Sequence, residues 1–153
     1  MRIGATLRLK PADIDWERNL VTIHDDKGGQ GRTVVLDGAA MEVLKVWSER
    51  RKELGLTNAE PFFCSVYKHA RGNAMDSSHY RRRIGRLREK AEIEKRCHLH
   101  GLRHTGASEL AEEGFDMPTI AHQLGHKHVS TTATYIHRLR PDLMDARLKQ
   151  REW

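Results

Sequence analysis

A glycine-rich segment, KGGQG at residues 27–31, lies between two short runs in which apolar and polar residues alternate. The runs cover residues 20–24 and 32–36, and their period of two is that of a strand with one buried face. A short glycine-rich connection between two such runs joins antiparallel neighbours. The sequence therefore predicts one small hairpin, preceded by a further short strand at residues 13–16.

The rest of the chain is predicted to be helical, because apolar residues recur with a helical period and most glycines and prolines stand at segment ends. Pro11 ends a first short helix, and Gly55 ends a longer one. The fold class is therefore α+β and mostly helical, with a small antiparallel hairpin or sheet, in one domain over residues 1–153. The predicted helices cover residues 3–9, 39–54, 78–93, 101–113, 116–125, 130–135 and 141–151.

The chain of 153 residues has a net charge of +6 and a predicted pI near 9.6. A pI above about 9 is typical of a domain that binds nucleic acid. The positive charge is concentrated in the predicted helix over residues 78–93, where both a solvated surface and contact with DNA phosphates are open interpretations. The arginines that would make such contacts are Arg81, Arg82, Arg83 and Arg86, together with Arg32 of the hairpin.

Several classes of protein are disfavoured by composition. No apolar run approaches the roughly 20 residues needed to cross a bilayer, and the two cysteines form no disulfide framework, so we expect a cytoplasmic protein. The histidines near Cys97 raise the question of zinc, but the chain has neither an H-E-x-x-H segment nor paired C-x-x-C segments. We therefore predict no metal and no cofactor. Trp47, Phe62 and Phe63 are assigned to the core rather than to base stacking.

The most informative segment is H-x-x-R-H, formed by His100, Arg103 and His104. Leu-Gly-His follows at residues 124–126, and Tyr135 stands nine positions after His126. This order and spacing resembles the signature of the tyrosine recombinase (phage integrase) family, whose members cut and rejoin DNA. The similarity implies the helical catalytic domain of such an enzyme, with double-stranded DNA as its partner.

The front of the chain resembles the same family. Arg2 and the residues after it are similar to the first arginine motif, and Lys27 is similar to the lysine of the family's hairpin, in the context K-G-x-x-x-R that ends at Arg32. The similarity therefore extends to about Pro141.

Phosphodiester transfer builds negative charge on phosphorus, and a protein without metal must supply fixed cations and donors there. An arginine fork suits this purpose because it binds two phosphate oxygens and stays charged. The resemblance implies that Arg2 and Arg103 clamp the non-bridging oxygens and that His126 donates to them.

The resemblance also implies the roles of the nucleophile and the proton carriers. Tyr135 would attack the scissile phosphate and become joined to the 3′ phosphate, so that rejoining needs no ATP. His100 would assist as general base, and Lys27 would protonate the departing 5′ oxygen.

The chain departs from the family in two respects. Ala5 stands where the family usually has a glutamate three residues after the first arginine. Arg2 also lies at the start of the chain, so we expect the N-terminal core-binding domain and the first catalytic-domain helices to be absent, the terminus to fray, and DNA affinity to be weak.

Three functions stay open from sequence. The chain is a site-specific recombinase that performs DNA integration, or a truncated, catalytically inert DNA-binding remnant of an integrase, or a relaxer similar to type IB topoisomerases. The tail over residues 137–153, with an apolar stripe at Leu143, Met144 and Leu148, either docks onto another recombinase protomer or packs on its own core.

Overall fold

The structure is a computed structural model that describes residues 1–24 and 31–126. The chain divides into two compact units, Met1–Arg96 and Cys97–Trp153, at a point where the sequence predicted no boundary. The predicted helices over residues 130–135 and 141–151 lie outside the described residues, as do Lys27, Tyr135 and the tail.

The first unit contains the predicted sheet. Its strands are all antiparallel, with β2 in the middle, and the hairpin predicted from the alternating runs is confirmed. Val21 of the central strand lies opposite Ile14 on one side and Val34 on the other, so three apolar side chains share the face that is buried. The elements are α1 (Ile3–Arg8), a 3-10 turn (Pro11–Asp13), β1 (Ile14–Asp15), β2 (Leu20–Ile23) and β3 (Arg32–Val35).

Two longer helices of the first unit begin at aspartate caps. Helix α2 (Gly38–Glu53) begins where the Asp37 carboxylate accepts a hydrogen bond of 2.7 Å from the Ala40 amide. Gly55, with φ +70°, follows its end, as predicted. Helix α3 (Ser77–Lys90) begins where Asp76 accepts from the amides of Ser78 and His79, and it ends three residues earlier than predicted.

The core of the first unit centres on Phe62, which is fully buried. Trp47 and Phe63 pack at its edge, so their assignment to the core is confirmed. Trp47 Nε1 donates to the Phe62 carbonyl at 2.7 Å, and the buried guanidinium of Arg51 donates to the carbonyls of Thr57 and Phe62. These bonds satisfy the backbone of the connection between α2 and α3. The buried core residues are Ala5, Leu9, Ile14, Val21, Ile23, Val34, Met41 and Phe62.

The second unit contains helices α4 (Leu99–Glu112) and α5 (Met117–Leu124), which contact each other. Asp116 caps α5 by accepting from the Thr119 amide at 2.7 Å, and Gly125 ends it in the left-handed conformation at φ +72°, both as predicted. Helix α4 begins two residues before the predicted start. No helix in the two described ranges has both the length and the apolar character to cross a membrane.

Candidate active site

The first two turns of α4 hold the H-x-x-R-H side chains. His100 is exposed, whereas Arg103 and His104 are half-buried. The rings of His100 and His104 meet edge to face, with 4.4 Å between their centroids. Residues three and four apart share a helix face, so α4 presents two imidazoles and one guanidinium on the same side.

The Arg103 side chain joins the two motifs of the second unit. Its Nη2 donates a hydrogen bond to the carbonyl of Leu124, the last residue of α5. A guanidinium is favourable at this point because a helix C-terminus carries partial negative charge. His126 follows the left-handed turn at Gly125, and its amide donates to Ala121 at 2.9 Å. The Arg103 guanidinium is therefore held at the C-terminal end of α5, and His126 is the second residue after that end.

The electrostatics of this cluster disfavour an added proton. Partial burial lowers the pKa of His104 below its usual 6.5, and the electrostatic influence of the nearby His100, Arg103 and His98 side chains lowers it further. The His104 imidazole is therefore neutral over a wider pH range than a free histidine, beside the permanently charged guanidinium of Arg103. Within the described ranges, no group of three or more histidine, cysteine or acidic side chains is arranged to hold a metal ion.

Arg2 lies in the first unit, as the N-terminal cap residue of α1. Its side chain is half-buried, and its carbonyl accepts from the amides of Ala5 and Thr6, both at 3.0 Å, and from the Thr6 hydroxyl at 3.2 Å. Ala5 is buried in the core of this unit, so the position that carries a glutamate in the family is apolar here. The expected fraying of Arg2 stays a prediction.

The basic residues of the first unit occupy two elements. Arg32 is half-buried at the start of β3, paired with Ile23. On α3, Arg81, Arg82, Arg83 and Arg86 are exposed, whereas Tyr80, Ile84 and Arg88 form the half-buried stripe of the helix. Among the described residues, no salt bridge is found to Arg81, Arg83 or Arg86. Helix α1 contacts α3, so the first arginine motif and the arginine-rich helix belong to one packed region.

Three predicted site residues, His100, Arg103 and His126, therefore lie in the second unit, where Arg103 bonds to the end of the helix that precedes His126. Arg2 belongs to the first unit, and the nucleophile and the hairpin lysine lie outside the described residues.

Sequence reasoning missed His98. Its Nδ1 accepts a hydrogen bond of 2.6 Å from the Gly101 amide and caps α4. One signal in the sequence could have indicated this cap. A histidine ring nitrogen can accept a hydrogen bond, and His98 stands three residues before Gly101, at the start of the helical pattern.

Comparison with protein families gives a match of the phage integrase family over residues 1–140. A putative integrase/recombinase of Sinorhizobium fredii is 31% identical over 137 residues, which are 89% of this chain and 51% of that protein. Tyrosine recombinase XerC of Bacillus licheniformis is 29% identical, over 90% of this chain and 45% of that protein. The chain spans about half the length of these relatives.

Solved structures show the same fold. The XerA recombinase crystal structure matches with a TM-score of 0.83 and 29% identity, over 99% of this chain and 54% of that one. The XerH site-specific recombinase, bound to a palindromic difH substrate in a post-cleavage complex, matches with a TM-score of 0.74 and 27% identity, over 96% of this chain and 41% of that one.

Proposed function

Because the chain belongs to the phage integrase family, we propose that it carries out the strand cleavage and rejoining of site-specific DNA recombination, through a 3′-phosphotyrosyl intermediate on Tyr135. The observation that supports this most strongly is the bond from Arg103 to the Leu124 carbonyl. It joins two motifs more than twenty residues apart at one helix end, where a guanidinium and the His126 imidazole can act on a single phosphate.

The proposed reaction conserves the phosphodiester bond energy. The Tyr135 oxygen loses its proton to His100 and attacks phosphorus, while the bond from phosphorus to the 5′ oxygen breaks. Lys27 gives a proton to that leaving oxygen. Arg2 and Arg103 bind the non-bridging oxygens as charge grows on them, and His126 donates a further hydrogen bond. Attack by a 5′ hydroxyl on the phosphotyrosine reverses the step and rejoins a strand.

The exposed arginines of α3 support double-stranded DNA as the partner. Each phosphate contact releases counterions, so affinity depends steeply on salt. We propose that Arg81, Arg82, Arg83 and Arg86, together with Arg32, contact the DNA backbone. Docking of the tail onto a second protomer and a cytoplasmic location stay predictions.

A second candidate function is DNA binding without turnover, and the same α3 arginines favour it, because they would contact DNA whether or not cleavage follows. The two candidates differ in what Tyr135 does, since binding alone does not need its hydroxyl.

A pool of nicked duplexes with randomised arms, designed to trap covalent complexes, tests the proposal. The chain should yield a denaturant-resistant protein–DNA species, and Tyr135→Phe should abolish it while retaining gel-shift binding to the same pool. Equal trapping by the two proteins, or binding with no trapping by either, contradicts the proposed chemistry, and the second result supports the binding module. Relaxation of supercoiled DNA with no exchange between sites would instead indicate a topoisomerase.

A further inference from the structure

The first turn of α4 is closed in an unusual way. The opening amides of a helix have no partner within it, and aspartate, asparagine, serine or threonine normally caps them. Aspartates do so on α2, α3 and α5. On α4 the cap is the imidazole of His98, which has extended backbone angles (φ −145°, ψ 156°) and accepts from the Gly101 amide at 2.6 Å.

Gly101 is the steric counterpart of this cap. A Cβ added there would lie 2.8 Å from both Cε1 and Nδ1 of the His98 ring, closer than real Cβ contacts come. Apart from the adjoining residues and the nearby backbone of the helix itself, the three heavy atoms nearest to that Cβ all belong to His98. Gly101 lies inside α4, although glycine is a poor helix former. The close approach of the His98 ring explains why glycine stands at this position. His98 and Gly101 therefore form a matched pair.

The pair directly flanks His100. Leu99, His100 and Gly101 are the first three residues of α4, and the cap fixes the amide that follows His100. The His100 ring also contacts His104 one turn later. The cap fixes the backbone immediately after His100, and the His104 ring contacts the His100 side chain. The direction in which the His100 imidazole points therefore depends on both contacts.

We propose that His98 is a positioning residue for the reaction, acting through the Gly101 amide to hold His100 in place. The role rests on the proposed function, in which His100 receives the proton of Tyr135. An amide can donate only to a ring nitrogen without a proton, so the cap uses the neutral tautomer with its hydrogen on Nε2. Asparagine can replace this acceptor, whereas alanine cannot.

The first test asks whether the effect of a side chain at position 101 depends on the His98 ring. It measures thermal stability and does not require the protein to be active. Gly101→Ala should lower the Tm in the wild-type background because its methyl meets the His98 ring. In the His98→Ser background, where the ring is absent and a cap remains, the same change should raise the Tm, since alanine is the better helix former. A Gly101→Ala shift of the same sign in both backgrounds would overturn the pairing.

The second test follows the Gly101 amide by hydrogen exchange. His98→Ala should speed its exchange on the order of fivefold or more, as expected for the loss of a helix cap, and His98→Asn should restore its protection. Unchanged exchange in His98→Ala would show that the ring is not the cap.

The third test measures the rate of covalent trapping at saturating nicked duplex for His98→Ala, His98→Asn and the matched control Asp37→Ala. Asp37→Ala removes a cap from α2, in the other unit. His98→Ala should slow trapping on the order of fivefold with unchanged DNA affinity, since the effect of one lost cap is carried to His100. His98→Asn should recover the rate, and Asp37→Ala should lower the Tm without changing the rate.

Equal rates for wild type and His98→Ala, or equal losses for His98→Ala and Asp37→Ala, would overturn the positioning role. If the wild-type chain traps no DNA, the proposed function fails and the positioning role falls with it. The Tm and exchange measurements still decide whether His98 and Gly101 form the cap, so the two failures are distinguishable.

Discussion

Large side chains fill the core of the first unit, with Phe62, Met41 and Ile23 almost wholly buried. The described part of the second unit packs α4 on α5 through Ala107 and Ala111, against Ile120 and Leu124. Each buried methylene contributes about 0.8 kcal/mol, so alanines supply little stabilisation. Within the described residues, the contact between α4 and α5 therefore depends more on close approach of the helices and on polar contacts.

This difference matters because three of the four described side chains with a proposed catalytic role, His100, Arg103 and His126, lie in the second unit. Arg103, assigned to the phosphate, also joins α4 to the end of α5. In the first unit, a substitution in the core and one in an arginine proposed to contact DNA are expected to act on separate properties. In the second unit, Arg103 is proposed to bind the phosphate and also holds α4 to the end of α5.

Among the substitutions that test this contrast between the two units, the largest loss of stability is expected at Phe62. Phe62→Ala should destabilise the chain by about 3–5 kcal/mol, because it leaves a cavity in a core of large side chains. Urea unfolding measures this value. Phe115→Ala is the matched control, since that ring is 47% exposed in the second unit and its removal should cost little. Similar losses for the two variants would contradict the contrast.

The close approach of α4 and α5 is tested by adding volume. Ala107 is 1% exposed, so Ala107→Leu should cost about 1–3 kcal/mol through overpacking. Glu109→Leu places the same side chain on the exposed side of α4 and should change stability little. If Ala107→Leu were neutral or stabilising in urea unfolding, the helices would not be packed as closely as described.

The polar contribution to the second unit is tested at the cap of α5. Asp116→Ala should cost about 1 kcal/mol, because the Thr119 amide loses its acceptor, and Asp116→Asn should retain most of the stability. Both values come from thermal unfolding. A loss as large in Asp116→Asn as in Asp116→Ala would show that charge, and not the hydrogen bond, is what matters there.

The smallest expected effect is a pH dependence from His104. Its folded pKa is lowered, first by burial, so the unfolded chain takes up the proton at higher pH than the folded chain does. The resulting stability is present above pH 6.5, the usual pKa of the side chain, and is lost as pH falls through the folded pKa. The fall in Tm from pH 7.5 to pH 5.5 should therefore be smaller in His104→Gln.

His69→Gln, at an exposed position in the first unit, is the control for this measurement and should leave the fall unchanged. A fall in His104→Gln as steep as in the wild type would contradict the lowered pKa.

Local signals made much of the fold predictable from sequence. The strands follow from alternation, and the ends of α2 and α5 follow from Asp37, Gly55, Asp116 and Gly125, each of which acts on its own few neighbours. The start of α4 was placed two residues late because an imidazole is outside the usual set of helix caps. The division after Arg96 was not predicted, since no glycine or proline marks it.

The candidate site was predictable only as a set of residue types. The family resemblance implied that Arg103 and His126 act on one phosphate, but nothing local indicates that Arg103 donates to the Leu124 carbonyl, since that contact depends on how two helices pack. The placements of Lys27 and Tyr135 stay predictions.

The account centres on a phosphotyrosine at one residue, and peptide mapping of the trapped complex tests it most directly. After nuclease and protease digestion, mass spectrometry should find a 3′-linked nucleotide on the peptide that contains Tyr135. Trapping by Arg103→Lys should be much weaker, because lysine cannot form the two-pronged contact. A nucleotide linked to any other residue, or through its 5′ phosphate, would contradict the account.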